Sequence, residues 1–218
     1  MSRERRLLPV TLAALSLAGL AYWQLQRLFT EEPSYEIERR IGPLQIRRYA
    51  STIRAETEIT SPSSRKALSD GFRRLARYIF GGNQTGEKLP MTSPVNQRPS
   101  PIAMTKPVMW TVSLTGPWLV SFTMPKGRTL DTLPTPSDME VHLSAKPARR
   151  VAALRFAGRY TSERVTQKAR ELREIARGLG LDAEGDVEFA GYDPPWTLPF
   201  LRRNEVWLEL PCLASISA

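Results

Sequence analysis

One cysteine and one histidine, Cys212 and His142, stand in a chain of 218 residues. A lone cysteine excludes an intramolecular disulfide framework and any multi-cysteine zinc or iron–sulfur site, and it leaves the redox compartment open. A lone histidine excludes a two-histidine metal centre, and a serine or cysteine triad would have to use that single imidazole. Acidic residues are also in deficit: 22 Asp+Glu against 31 Lys+Arg leave a formal net charge of +9. Such a surplus suits a polyanion, an anionic membrane face or a small carboxylate-bearing ligand without choosing among them. No nucleic-acid partner is expected, because the basic residues are dispersed and no helix-turn-helix, RNP or zinc-finger pattern is present. What is there, 41% hydrophobic and 24% charged positions, is a globular composition with room for one sizeable core.

Charge is missing altogether from Leu7 to Gln26, 20 residues that follow Arg3, Arg5 and Arg6. As a helix this run is about 30 Å long, enough to cross a bilayer. The basic head predicts a cytoplasmic N-terminus and a periplasmic or extracytoplasmic body, and Tyr22-Trp23 fall where an interfacial aromatic belt sits. Gly19-Leu20-Ala21 keeps a cleaved signal peptide, and a secreted or periplasmic product, open as the alternative. Residues 1–30 are thus read as a signal-anchor or signal segment, giving a membrane partner through an N-terminal helix, and residues 31–218 as the domain proper.

The domain reads as one plan written twice. Tyr35 to Glu38 alternates, Ile41-Gly42-Pro43-Leu44 turns, and Gln45 to Ile59 supplies two further extended stretches. Ser61 or Ser63 then caps a helix in which Leu68, Gly71, Phe72, Leu75, Tyr78 and Ile79 recur at helical spacing until Gly81-Gly82. Lys88 to Val95 and Met104 to Leu114 read as strands around a loop from Asn96 to Pro101. The second copy has strands at Met139–Ala145 and Arg150–Phe156, a helix at about 162–177 with Val165, Ala169, Leu172 and Ala176 on its apolar stripe, and strands at Asp186–Tyr192 and Asn204–Leu210. Two helices cannot cover both faces of so many strands, so the pattern predicts an α+β fold. Its sheet is a distorted antiparallel β-barrel from two pseudo-repeated strand–helix–strand halves, with two flanking helices.

The stretch from Gly71 to Asn83, followed by Lys88-Leu89-Pro90-Met91-Thr92-Ser93-Pro94-Val95, resembles the signature of the SOUL haem-binding protein family. Phe122-Thr123-Met124-Pro125, Phe156-Ala157-Gly158, Gly191-Tyr192-Asp193-Pro194-Pro195 and Arg202 to Trp207 follow in that family's order, so the resemblance covers about residues 35–210. Met-Thr-x-Pro-Val at Met91–Val95, repeated at Met104–Val108 with Lys106 inserted, is similar to the bacterial branch. The resemblance implies haem or another tetrapyrrole as ligand, and a carrier, buffer or sensor rather than an enzyme. It places Leu68, Phe72, Leu75 and Ala76 of the first helix along a shallow apolar groove.

A porphyrin is a flat apolar plate with two carboxylates, and Arg73, Arg74, Arg77 and Lys106 are the candidate cations at its rim. The same apolar stripe is also what packs a helix on a sheet. His142 shares strand parity with Glu140 while Met139, Val141 and Leu143 form the other face, so it points away from the core. Some members of the family are described as holding haem through an early histidine, whereas Glu38 to Tyr49 here offers only arginines, so binding without histidine ligation is expected. In the last strand Glu205, Trp207 and Glu209 share one face and Val206, Leu208 and Leu210 the other. The acid–aromatic face reads as an outer surface or a cleft wall. The fold resemblance extends to GyrI-like domains, and under that alternative Glu205 meets a cationic or apolar small molecule, or serves as a general base with a raised pKa.

Overall fold

The computed structural model describes residues 30–100, 117–181, 183, 185–194 and 197–211. The first half runs β1 (Tyr35–Ile41), β2 (Leu44–Tyr49), β3 (Thr52–Thr60), α1 (Ser64–Ile79), β4 (Val95–Pro99) and β5 (Pro117–Thr123). The second runs β6 (His142–Lys146), β7 (Arg149–Phe156), α2 (Ser162–Gly178), β8 (Glu188–Gly191) and β9 (Asn204–Leu210). A short 3-10 turn, Pro199–Leu201, precedes β9.

Local chemistry sets the elements. Gly42, at φ +56°, makes the first position of a two-residue turn that pairs Ile41 with Leu44. Ser63 accepts a hydrogen bond from the Lys66 N–H and starts α1, and Thr161 does the same for α2 through the Arg164 N–H. α1 buries Ala67, Gly71, Leu75, Tyr78 and Ile79, while α2 buries Leu172 and Ala176.

Nine strands form one sheet in the order β1-β2-β7-β9-β8-β4-β5-β3-β6, and every pairing among the described strands is antiparallel. Read from the seam between β8 and β4, the order has an internal two-fold: β8-β9-β7 mirrors β4-β5-β3, and each half's helix lies on its own strands. The outer partner is exchanged, since β2 of the first half pairs β7 of the second and β6 of the second pairs β3 of the first. The helices share one side of the sheet, and their N-termini meet where Ser64 Oγ and Ser162 Oγ lie 2.8 Å apart.

The expected barrel is therefore corrected to a curled half-barrel, open along β1 and β6. Two strand assignments also change. Residues 88–94 make only isolated bridges, because Pro90 and Pro94 have no N–H to give a ladder. The presumed loop at Asn96 is instead β4, a polar strand paired on both sides by β5 and β8. β5 falls where no strand was anticipated, the expected strand Met104–Leu114 lies outside the described residues, and β6 begins at His142 rather than Met139. The run Leu7–Gln26 also lies outside them; among the described residues no helix is long and apolar enough to cross a membrane.

The core is two clusters between helices and sheet. Leu75, Tyr78 and Ile79 pack on Ala55, Val120 and Phe122, while Leu172 and Ala176 pack on Leu44, Ile46, Leu154, Val206 and Leu208. Leu68 touches both. At Gly71 the helix comes so near β5 that an added Cβ would stand 2.6 Å from Val120 Cβ. We expect Gly71→Ala to cost about 1–3 kcal/mol by pushing α1 off the sheet, and Leu75→Ala about 2–5 kcal/mol through its cavity. Urea unfolding midpoints check both.

Candidate functional site

The sheet carries two faces of different chemistry. On the helix side, α1 places its candidate residues in rows. Leu75 is completely buried and belongs to the core, whereas Leu68, Phe72 and Ala76 are half-buried along the shoulder where helix meets sheet. Phe72 meets Phe122 edge-on, with ring centroids 5.4 Å apart. One further row around the helix, Arg65, Ser69 and Arg73 line a shallow open depression of about 350 Å³ with Ser63, Lys66 and Asp70. A helical repeat of 3.6 residues sets this row directly beside Phe72 and Ala76. Asp70 pairs with Lys66 at 2.7 Å and with Arg73, and these bonds hold its carboxyl below the usual range. Arg73 and Arg77 are exposed, and Lys106 lies outside the described residues. The half-buried residues and the arginines thus come together, while Leu75 is withdrawn beneath them.

The helix-free face is built from the alternate residues of the same strands, and it is buried. Glu205 is fully enclosed, with Arg47 Nη1 and Nη2 on its two oxygens at 2.7 and 3.0 Å. The Arg203 Nε–H, Tyr192 O–H and Trp207 Nε1–H donate to it at 3.0, 3.0 and 2.7 Å. Burial works to raise its pKa, but the Arg47 and Arg203 guanidiniums and the indole prevail and hold it below the ordinary glutamate range. The idea of a raised pKa and a general base is corrected: this carboxylate is ionised and its acceptor sites are filled. It lies on an inner wall rather than an outer surface.

A second cluster follows the same logic. Glu188 takes Arg54 at 3.1 Å and Arg149 at 2.8 and 3.3 Å. Burial would raise its pKa, yet the two arginines hold it down at about 2. Tyr35, Tyr49 and Trp207 pack in tilted ring contacts at 5.2 Å centroid spacings, with Arg47 over Tyr35 at 4.4 Å. The segment before β1 closes this side, where Glu32 grips Arg203 at 3.0 Å through both oxygens and Ser93 N–H donates to Glu31 O at 2.9 Å.

His142 is exposed on the edge strand β6, paired with Glu56, as strand parity predicted. No group of three or more His, Cys, Asp or Glu side chains among the described residues is arranged to hold a metal ion. The sequence reading missed Arg47, Arg54, Arg149 and Glu188. For Arg47 the signal was the alternation in β2, where Gln45, Arg47 and Tyr49 oppose Leu44 and Ile46; an arginine in that register looks solvated until the face is seen to be covered.

A curled antiparallel half-barrel with two helices on one face is an α+β class shared by proteins of distant sequence. The EcmrR C-terminal domain has it, with a TM-score of 0.55 at 10% identity over 81% of this chain and 98% of that domain. Within that class the chain belongs to the SOUL heme-binding protein family, whose model matches residues 30–209. It is 31% identical to Heme-binding protein 1 of Mus musculus over 71% of this chain and 77% of the relative. It is 27% identical to Heme-binding protein 2 of Homo sapiens over 82% and 85%.

The buried clusters predict acid lability. Glu188 titrates near 4.5 when unfolded and near 2 when folded, so its stabilisation is full above pH 4.5 and is lost as pH falls toward 2. Urea midpoints of the wild type should drop through that window. Glu188→Gln, already weaker at pH 7 with Arg54 and Arg149 left uncompensated, should fall less steeply.

Proposed function

We propose that this chain binds haem or a related tetrapyrrole on the outer shoulder of α1, as a carrier, buffer or sensor. The observation that carries the reading is the row of Leu68, Phe72 and Ala76 beside an open depression rimmed by Arg65, Lys66 and Arg73. The half-buried row offers apolar contact to a flat macrocycle, and the rim offers cations to two propionates. Family membership and the names of the mouse and human relatives support the same ligand. The shoulder has no histidine, so the iron gains no imidazole there and contact with the ring and propionates carries affinity. The duplicated Met-Thr-x-Pro-Val motif supports assignment to the bacterial branch, although its second copy lies outside the described residues.

Haem titration into full-length protein tests this. Arg73→Glu and Arg77→Glu should each weaken binding by about tenfold, roughly 1.4 kcal/mol. His142→Ala should leave the Soret spectrum unchanged, and Glu205→Gln, if folded, should bind as the wild type does. Affinity no greater than that of an unrelated basic protein rules the reading out.

The run Leu7–Gln26 supports membrane attachment with the domain on the periplasmic or extracytoplasmic side. Full-length protein should then resist alkaline extraction from membranes. Its release, or a mature N-terminus near Tyr22, favours the cleaved form.

A further inference from the structure

Large apolar side chains are exposed at few places among the described residues, and one of them is mechanically tied to the start of the domain. In the turn Pro199–Leu201 the Phe200 side chain is 71% exposed, and Leu198 just before it is 40% exposed. The turn is held in shape by the Leu201 N–H to Leu198 O at 2.9 Å and the Arg202 N–H to Pro199 O at 3.2 Å. The Arg202 Nε–H donates to Thr197 O at 2.8 Å, which fixes a cation at the turn's base. A constrained apolar tip above a cation is what a lipid interface accepts: the ring enters the acyl boundary and the cation stays among anionic headgroups.

The tie comes from Arg203. Its guanidinium holds both oxygens of Glu32 at 3.0 Å and lies 3.6 Å over the Tyr192 ring. Glu32 is six residues beyond Gln26, where the uncharged run ends, a span of at most about 20 Å of extended chain. Phe200 is three residues from Arg203, at most about 10 Å. The ion pair thus keeps Glu32, the sixth residue after the uncharged run, close to the apolar turn. We propose that this turn is a membrane-contacting surface, with Phe200 and Leu198 seated in the headgroup region of an anionic bilayer beside the N-terminal anchor. The proposal rests on reading Leu7–Gln26 as that anchor and is independent of the haem site.

The test uses full-length protein carrying Cys212→Ser and Phe200→Cys, labelled with an environment-sensitive fluorophore and reconstituted in phosphatidylglycerol–phosphatidylcholine vesicles. Met139→Cys, at a position 89% exposed on another turn, is the control. The label at 200 should shift to shorter wavelength, be quenched by brominated acyl chains and be shielded from aqueous iodide. The label at 139 should show none of these, and far-ultraviolet circular dichroism should show both variants folded. A label at 200 that stays open to iodide, or that responds as the label at 139 does, overturns the proposal. Alkaline extraction of the same vesicles reads the anchor separately. Release there defeats the anchor, while lipid quenching at 200 before release still supports contact by the turn.

Discussion

The pairing of β4 with β8 is the constraint on which the molecule turns. Three register pairs, Val95 with Gly191, Asn96 with Ala190 and Gln97 with Phe189, join the two halves at the pseudo-two-fold. That seam is short, and the halves reinforce it by exchanging their outer strands. Neither half completes its own sheet, because β7 needs β2 from the first half and β3 needs β6 from the second. The duplication therefore yields one cooperative unit rather than two domains, and each helix covers strands whose neighbours come from the opposite half.

The charge clusters repeat this interdependence in side chains. Arg47 stands on β2 and Glu205 on β9, while Arg54 stands on β3 and Glu188 on β8. Both pairs bridge the halves, and a buried carboxylate with no guanidinium opposite would be far costlier than the apolar pair it displaces. These bonds penalise a mispaired sheet more than they deepen the native one. They also divide the molecule's labour. The helix-free face holds its charges in internal ion pairs, whereas the α1 shoulder sets the half-buried Leu68, Phe72 and Ala76 beside exposed cations.

Periodicity was a reliable guide wherever one face of an element was plainly apolar. The helices at Ser64–Ile79 and Ser162–Gly178, the last strand and the orientation of His142 follow from spacing alone. It failed at β4, where the polar run Asn96, Gln97 and Arg98 looks like a loop, although backbone bonds hold it between two neighbours. Closure of the barrel was likewise invisible, since curl depends on how many strands pair and not on any one strand's pattern. At the α1 shoulder, the family resemblance named Leu68, Phe72, Leu75 and Ala76 together but could not grade their burial. Leu75 vanishes into the core and its neighbours stay half-open only because Val120 presses on Gly71 and fixes the helix's rotation.

Among the described strands, an open half-barrel leaves two edge rows of peptide groups, on β1 and β6, that a closed one would have joined to each other. On the β1 side that row is flanked by Glu36, Glu38, Arg39 and Arg40, all exposed, and the register slips between Ile37 and Arg39. A foreign strand arriving there meets alternating charge and a misaligned ladder, so the edge resists templating. The β6 side is only five residues long and presents His142, Ser144 and Lys146 on one face. Curling without closure leaves the fold a rim, and the charge, the register slip and the short length of its edges disfavour strand pairing there with a second copy.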